Sequence, residues 1–287
     1  MKPEIDEVTG VATTGHEWDG IKELNKPLPK WWLLTFYACI AWAIGYWVVY
    51  PAWPLANGYT RGLWGYSQRN TVAAEVQDGR EAQAGMRTLL HKTPLDEVNK
   101  NADLLRFASA AGSAAFQTNC APCHGRGAQG FSGYPNLNDD DWIWGGTVDQ
   151  IQKTIEYGIR SGHEKSHASA MPRFGLDKLL EEAKIDDVAE YVLSLSGKSI
   201  DKTAATRGAA TFKEQCVACH GENGKGLLEQ GAPNLTDAIW LYGGSKAQVV
   251  ESIRTGRGGM MPAWGSRLDA TTIKALAIYV HSLGGGN

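Results

Sequence analysis

The string Cys-x-x-Cys-His occurs twice in the chain, at Cys120–His124 and Cys216–His220, and it limits what the chain can fold around. Two cysteines separated by two residues are spaced to form thioethers with the two vinyl groups on one porphyrin edge. The adjacent histidine then reaches the iron, which is the attachment pattern of c-type haem. Zinc competes for the same residue types but needs four N or S ligands per site. His163 and His167 could complete such a site at the first motif, and nothing equivalent follows the second. A redox dithiol expects a βαβ context, which is absent. The reading is two covalently bound haem c groups on Cys120, Cys123, Cys216 and Cys219, with His124 and His220 as proximal iron ligands.

The contexts of the two motifs also match. Gly112 and Phe116 correspond to Gly208 and Phe212, Pro135-Asn136-Leu137 recurs as Pro233-Asn234-Leu235, and Trp142–Gly146 recurs as Trp240–Gly244. Met171-Pro172 recurs as Met261-Pro262, and Tyr191–Leu195 recurs as Tyr279–Leu283. Two copies are too few for a solenoid, so this is a duplicated domain. Ile185, Val188, Ala189, Val192 and Leu195 keep the spacing of a helix with one buried face, as do Ile273, Leu276, Ala277 and Val280. A domain of this size has little core of its own, and a buried porphyrin would supply the missing apolar mass.

Met171 and Met261 occupy equivalent places before these last helices, and they are the candidate distal iron ligands. A thioether ligand raises the reduction potential, which suits an electron carrier. Iron with both axial positions filled has no open site for oxygen or peroxide. The spacing leaves open whether a methionine is exchanged between the domains, and whether His163 or His167 takes its place.

Between Trp31 and Thr60 there is no charged side chain, and Trp31–Tyr50 supplies the roughly 20 apolar residues a membrane-spanning helix needs. Trp31, Trp32, Trp47, Tyr50 and Trp53 cluster at its two ends, as rings at a membrane boundary do. Pro51 and Pro54 stop the helix. A cleaved signal peptide fits poorly, because thirty residues precede an apolar run that is too long and too rich in tryptophan. Lys22, Lys26 and Lys30 before the span place the N-terminus in the cytoplasm and the haem domains on the periplasmic side of a bacterial inner membrane. Cys39, the one cysteine outside the motifs, reads as a small buried thiol.

The expected fold is mainly α: a cytoplasmic segment at 1–30, a transmembrane helix at 31–55 and a connector at 56–106. Two tandem class I cytochrome c domains follow, at 107–199 and 200–287. The connector reads as a helix or two. The formal net charge of −3 and the lack of any reader motif argue against a nucleic-acid partner.

Thr14–Ile21 and Asn25–Trp32 lead into the span, and Tyr50–Leu55 closes it. Together with the two motif repeats, Gly231–Asp237 and Met261–Trp264, these strings closely resemble the dihaem subunit III (FixP/CcoP) family of cbb3-type cytochrome c oxidase. The resemblance implies electron transfer from a donor cytochrome c or bc1 complex through the two haems. Electrons would pass to a monohaem subunit and on to a catalytic haem-copper subunit that reduces oxygen to water and pumps protons. It implies no catalytic residue in this chain. The other classes in view are a free-standing membrane dihaem cytochrome and a dihaem peroxidase or dehydrogenase partner.

Charge adds one expectation. Residues 107–200 carry 8 Lys/Arg and 12 Asp/Glu, whereas residues 201–287 carry 9 and 7. A basic donor is therefore expected to dock on the acidic first domain around Asp139–Asp141, because opposite charge speeds encounter.

Overall fold

The computed structural model describes residues 4–284, which divide into two compact units, one ending at Glu81 and the other starting at Ala82.

The first unit is built around α1, Lys30–Val49. None of its residues is buried, and among the described residues it is the one helix long and apolar enough to cross a membrane. At 1.5 Å per residue its 20 residues span about 30 Å. Aromatic rings gather at its C-terminal end, where Tyr46 stacks on Tyr50 at 4.5 Å and Trp64 meets Tyr50 edge-on at 4.9 Å. The chain turns back there, and Leu63 N–H and Trp64 N–H donate to the carbonyls of Val48 and Val49 that the helix leaves open. Gly62 permits this approach, because a Cβ there would overlap the Val49 carbonyl. Cys39, expected as a buried thiol, is instead exposed on the outer surface of α1; a lone helix has no interior in which to hide it.

Ahead of α1 lies a hairpin, β1 (Thr13–Trp18) with β2 (Ile21–Leu24), that periodicity does not announce. Its signal is local. Asp19 and Gly20 both take positive φ (51° and 85°), the backbone of a two-residue turn matched to strand twist. A smaller hairpin, β3 (Pro54–Leu55) with β4 (Gly58–Tyr59), follows the span.

Helix α2, Gln68–Lys92, accounts for about half of the expected connector, a 3-10 turn at Leu95–Lys100 follows it, and the connector's last residues already belong to the next helix. The second unit then runs α3 (Ala102–Asn119), α4 (Ala121–His124), α5 (Val148–Tyr157), α6 (Glu182–Leu195), α7 (Lys202–Gln215), α8 (Val217–His220), α9 (Lys246–Thr255) and α10 (Ala270–Ser282). Caps of the same chemical kind start the paired helices. Asn101 caps α3 and Asp201 caps α7, while Thr147 with Gln150 and Ser245 with Gln248 form capping boxes on α5 and α9.

These helices do not pack in chain order. The last helix, α10, crosses α3 and contacts α5, whereas α6 crosses α7 and contacts α9. Gly112 and Gly208 make the two crossings close. A Cβ at Gly112 would overlap the Ala275 carbonyl, and one at Gly208 would overlap that of Asp187. Phe116 then meets Tyr279 at 5.5 Å between ring centroids, and Phe212 meets Tyr191 at 5.0 Å. The first module thus comprises α3, α4, α5 and α10. The second, α6 through α9, is continuous in sequence and inserted between α5 and the chain's final segment. The limits 107–199 and 200–287 mark the sequence repeats, while the packed modules exchange their last helices.

Candidate functional site

Each Cys-x-x-Cys-His string forms a single helical turn directly after the long helix that precedes it, which sets both cysteines and the histidine on one short, rigid element. His124 Nδ1 lies 3.1 Å from the Pro135 carbonyl and His220 Nδ1 lies 3.2 Å from the Pro233 carbonyl. A carbonyl can only accept, so Nδ1 carries the proton and Nε2 is left free to ligate. Burial lowers both imidazole pKa values, keeping the rings neutral as ligation requires. As free thiols, Cys120 and Cys216 are pushed up to about 11 by burial and by the neighbouring cysteine. That is opposite to the depressed pKa of a reactive redox thiol.

The methionines sit crosswise. Met261 packs in the apolar cluster of Phe116, Ile151, Ile155, Leu276 and Cys120. Met171 packs with Ile185, Val188, Phe212, Val249 and Cys216. The backbone repeats the exchange. Met261 pairs with Ile159 in both directions, at 2.9 and 3.0 Å. Gly265 N–H donates to the Glu156 carbonyl at 3.0 Å, and Gly175 N–H donates to the Arg254 carbonyl at 3.1 Å. Gly158 and Gly256, at the ends of α5 and α9, have φ of 74° and 60°. A Cβ on Gly158 would strike the Met261 carbonyl, and one on Gly256 would strike that of Met171.

His163 and His167 are engaged elsewhere. His167 stacks on Trp144 at 4.1 Å with Nε2 3.1 Å from Thr154 Oγ1, and His163 stacks on Tyr157 at 5.1 Å with Nδ1 accepting from Lys165 N–H.

The fit to haem can be tested on atoms this protein leaves unpaired. Among the described residues few buried side-chain polar atoms lack a partner, and two of them are the indole N–H groups of Trp142 and Trp240. They occupy equivalent repeat positions, each against its own motif cluster. A buried donor orphaned in the same place twice calls for an external acceptor, and the carboxylates of a porphyrin supply one. The residues therefore fit the group. Sequence pattern does not single out either tryptophan as functional, although the repeated Trp-x-x-Gly-Gly string marks both.

The acidic patch changes character. Asp139 and Asp141 are half-buried, and burial together with Asp237 pushes Asp141 up to about 6. Regrouped by packing, residues 107–170 with 257–284 carry 7 basic and 7 acidic side chains, against 10 and 12 for 171–256. The contrast in net charge between the repeats is largely removed by the exchange, and Asp237 joins Asp139 and Asp141 in one acidic cluster.

Comparison with known proteins accounts for nearly the whole chain. Residues 10–57 match the N-terminal domain of cytochrome oxidase-cbb3, FixP, and residues 108–192 and 203–280 match cytochrome c oxidase, cbb3-type, subunit III. The chain belongs to the FixP/CcoP family of cbb3-type cytochrome c oxidase subunits. It is 56% identical to the cbb3-type cytochrome c oxidase subunit FixP of Azorhizobium caulinodans, covering 98% of this chain and 96% of that protein. The subunit CcoP of Azospirillum brasilense is 52% identical, covering 99% and 98%. That of Cereibacter sphaeroides is 50% identical, covering 100% and 99%. As a FixP/CcoP subunit, the chain is an electron-transport component with haem c-binding cytochrome domains, and α1 is its candidate membrane anchor.

Proposed function

We propose that this subunit is the electron inlet of a cbb3-type oxidase, holding two haem c groups outside the membrane in crossed axial ligation. Cys120 and Cys123 bind the first haem, with His124 and Met261 as its iron ligands. Cys216 and Cys219 bind the second, with His220 and Met171. Bound haem c supplies reversible one-electron exchange. The chain's own residues do the rest. The Pro135 and Pro233 carbonyls orient the histidines, Trp142 and Trp240 offer N–H donors to the porphyrin carboxylates, and the two apolar clusters exclude water. The observation that carries the ligand pairing is that Met261 packs against the same apolar cluster as Cys120, and Met171 against the same cluster as Cys216.

In this reading α1 is a single-pass anchor with its N-terminus in the cytoplasm and the haem modules in the periplasm. The donor is a cytochrome c or a bc1 complex. The acceptors are the monohaem subunit and then the haem-copper subunit, where oxygen is reduced and protons are pumped. With a histidine and a methionine to hold each iron, the residues would favour electron exchange over peroxide chemistry.

The test removes one haem and asks which methionine the other uses. In a chain with Cys120 and Cys123 both changed to Ala, the remaining haem should keep its near-infrared methionine–iron band in Met261→Ala and lose it in Met171→Ala. The reverse result would show that each repeat ligates its own haem. Co-purification of the tagged full chain with b-type haem and oxygen consumption supports the oxidase role, and a lone c-type spectrum opposes it.

A further inference from the structure

Arg160 occupies the only arginine position from which one side chain reaches both methionine loops among the described residues. Its Nε donates to the Gly259 carbonyl at 2.6 Å and its Nη1 donates to the Ser169 carbonyl at 2.7 Å. Those carbonyls stand in the same relation to their methionines, each two residues before, at Met261 and Met171. We propose that Arg160 is a positioning residue that holds both methionine loops at once, so that the two axial bonds strengthen or weaken together. The inference rests on the crossed ligation proposed above.

The backbone fixes the arginine where this requires. Ile159 pairs with Met261 on one side and lies beside His167 on the other. Arg160 N–H donates to the His167 carbonyl at 2.6 Å, and Arg160 holds a φ of 49°, rare for a residue with a side chain. Such a conformation persists only where its surroundings over-determine it. The segment between Gly158 and Met171 is longer than its counterpart between Gly256 and Met261, and the extra length lies between Arg160 and the Ser169 carbonyl that it bonds.

The link has no twin. The repeat position of Arg160 is Gly258, against which the guanidinium itself lies. The neighbouring Arg257 is committed to α9, bonding the Gln248 carbonyl and Ser252 and covering the Tyr242 ring at 4.8 Å. Guanidinium suits the task because it stays charged and offers several donors in a fixed fork, so it can bond two carbonyls in different directions. A lysine ammonium cannot reproduce that fork.

The experiment uses the purified full-length chain with its haems, reduced, in detergent. Carbon monoxide binds such an iron only when the methionine lets go. Met171→Ala and Met261→Ala should each open one haem; if neither does, the ligation reading fails whatever Arg160 does. Given that control, Arg160→Gln should speed carbon monoxide binding at both haems by roughly tenfold, the scale of losing charge-assisted hydrogen bonds. The near-infrared band should weaken at both, and Arg160→Lys should restore at most one. Acceleration at one haem only, or an unchanged band with merely a lower melting temperature, would overturn the proposal.

Discussion

The two cytochrome modules are alike around their Cys-x-x-Cys-His turns and unlike behind them. Facing inward, both use the same turn, the same histidine-to-proline bond, the same tryptophan and the same glycine under a methionine carbonyl. On their outer sides equivalent helix positions do opposite things. Ile278 of α10 is buried among Leu90, Val98, Leu104 and Ala108, an apolar back wall built from the end of α2 and the turn that follows it. Its counterpart Glu190 on α6 is equally buried but charged. That carboxylate accepts from Ser199 Oγ at 2.7 Å and from the Ile200 and Asp201 N–H groups, and pairs with Lys246 at 3.1 Å. Ligand chemistry holds the inner faces constant, whereas each outer face answers to whatever segment happens to cover it.

Glu190→Ala should have the largest effect on the second module. It leaves a hydroxyl, two N–H groups and an ammonium without their partner, and should cost about 3–5 kcal/mol. Thermal unfolding followed by circular dichroism would show it, and a loss under about 1 kcal/mol would mean the carboxylate is not the organising group. Despite the desolvation that opposes it, the Ser199, backbone and Lys246 bonds hold the Glu190 pKa down to about 2, against an ordinary 4.5. The folded state therefore binds this proton less readily than the unfolded chain. The stabilisation is complete above about pH 5 and fades as pH falls toward about 2. Glu190→Gln should flatten that acid limb while leaving the first module's back wall untouched.

At the matching apolar position, Ile278→Ala should cost about 2–4 kcal/mol through lost burial and a cavity. It should show no comparable acid dependence. A pH slope like that of Glu190 would erase the distinction drawn between the two backs.

Toward the porphyrin the prediction is sameness. Gly158→Ala and Gly256→Ala should each cost about 1–3 kcal/mol, because both force a side chain onto positive φ and into a carbonyl. Near-infrared spectra should report the damage crosswise, Gly158→Ala at the haem ligated by Met261 and Gly256→Ala at the haem ligated by Met171. The larger loss falling on the other haem in each variant would refute that assignment. The smallest effect belongs to the surface: Arg207→Ala removes the ion pair with Asp187 beside the α6–α7 crossing and should cost about 1 kcal/mol or less by chemical denaturation.

Much of the site is legible in the order of residues along the chain. Cys120–His124 and Cys216–His220 declare themselves because thioether attachment demands that spacing, and Met171 and Met261 stand out by repetition. The hairpin at Thr13–Leu24 escapes such a reading because strand alternation is weak over so few residues; only Asp19-Gly20 announces it. Arg160 escapes it too, because its importance lies in reaching two loops 90 positions apart, and no local pattern records that.

The paired Cys-x-x-Cys-His strings, the helical class, the duplication and the apolar span are written in the sequence, since each follows from spacing or composition along the chain. Which methionine packs against the cluster of which motif was decided only by tertiary packing. The repeats carry equivalent surfaces, so a self-paired and a crossed arrangement satisfy the same pattern. Residues 196–201 join α6 to α7, and so short a connection favours packing consecutive helices on each other. Once Gly208 lets α7 close on α6, α10 is left to complete the module that α3 began.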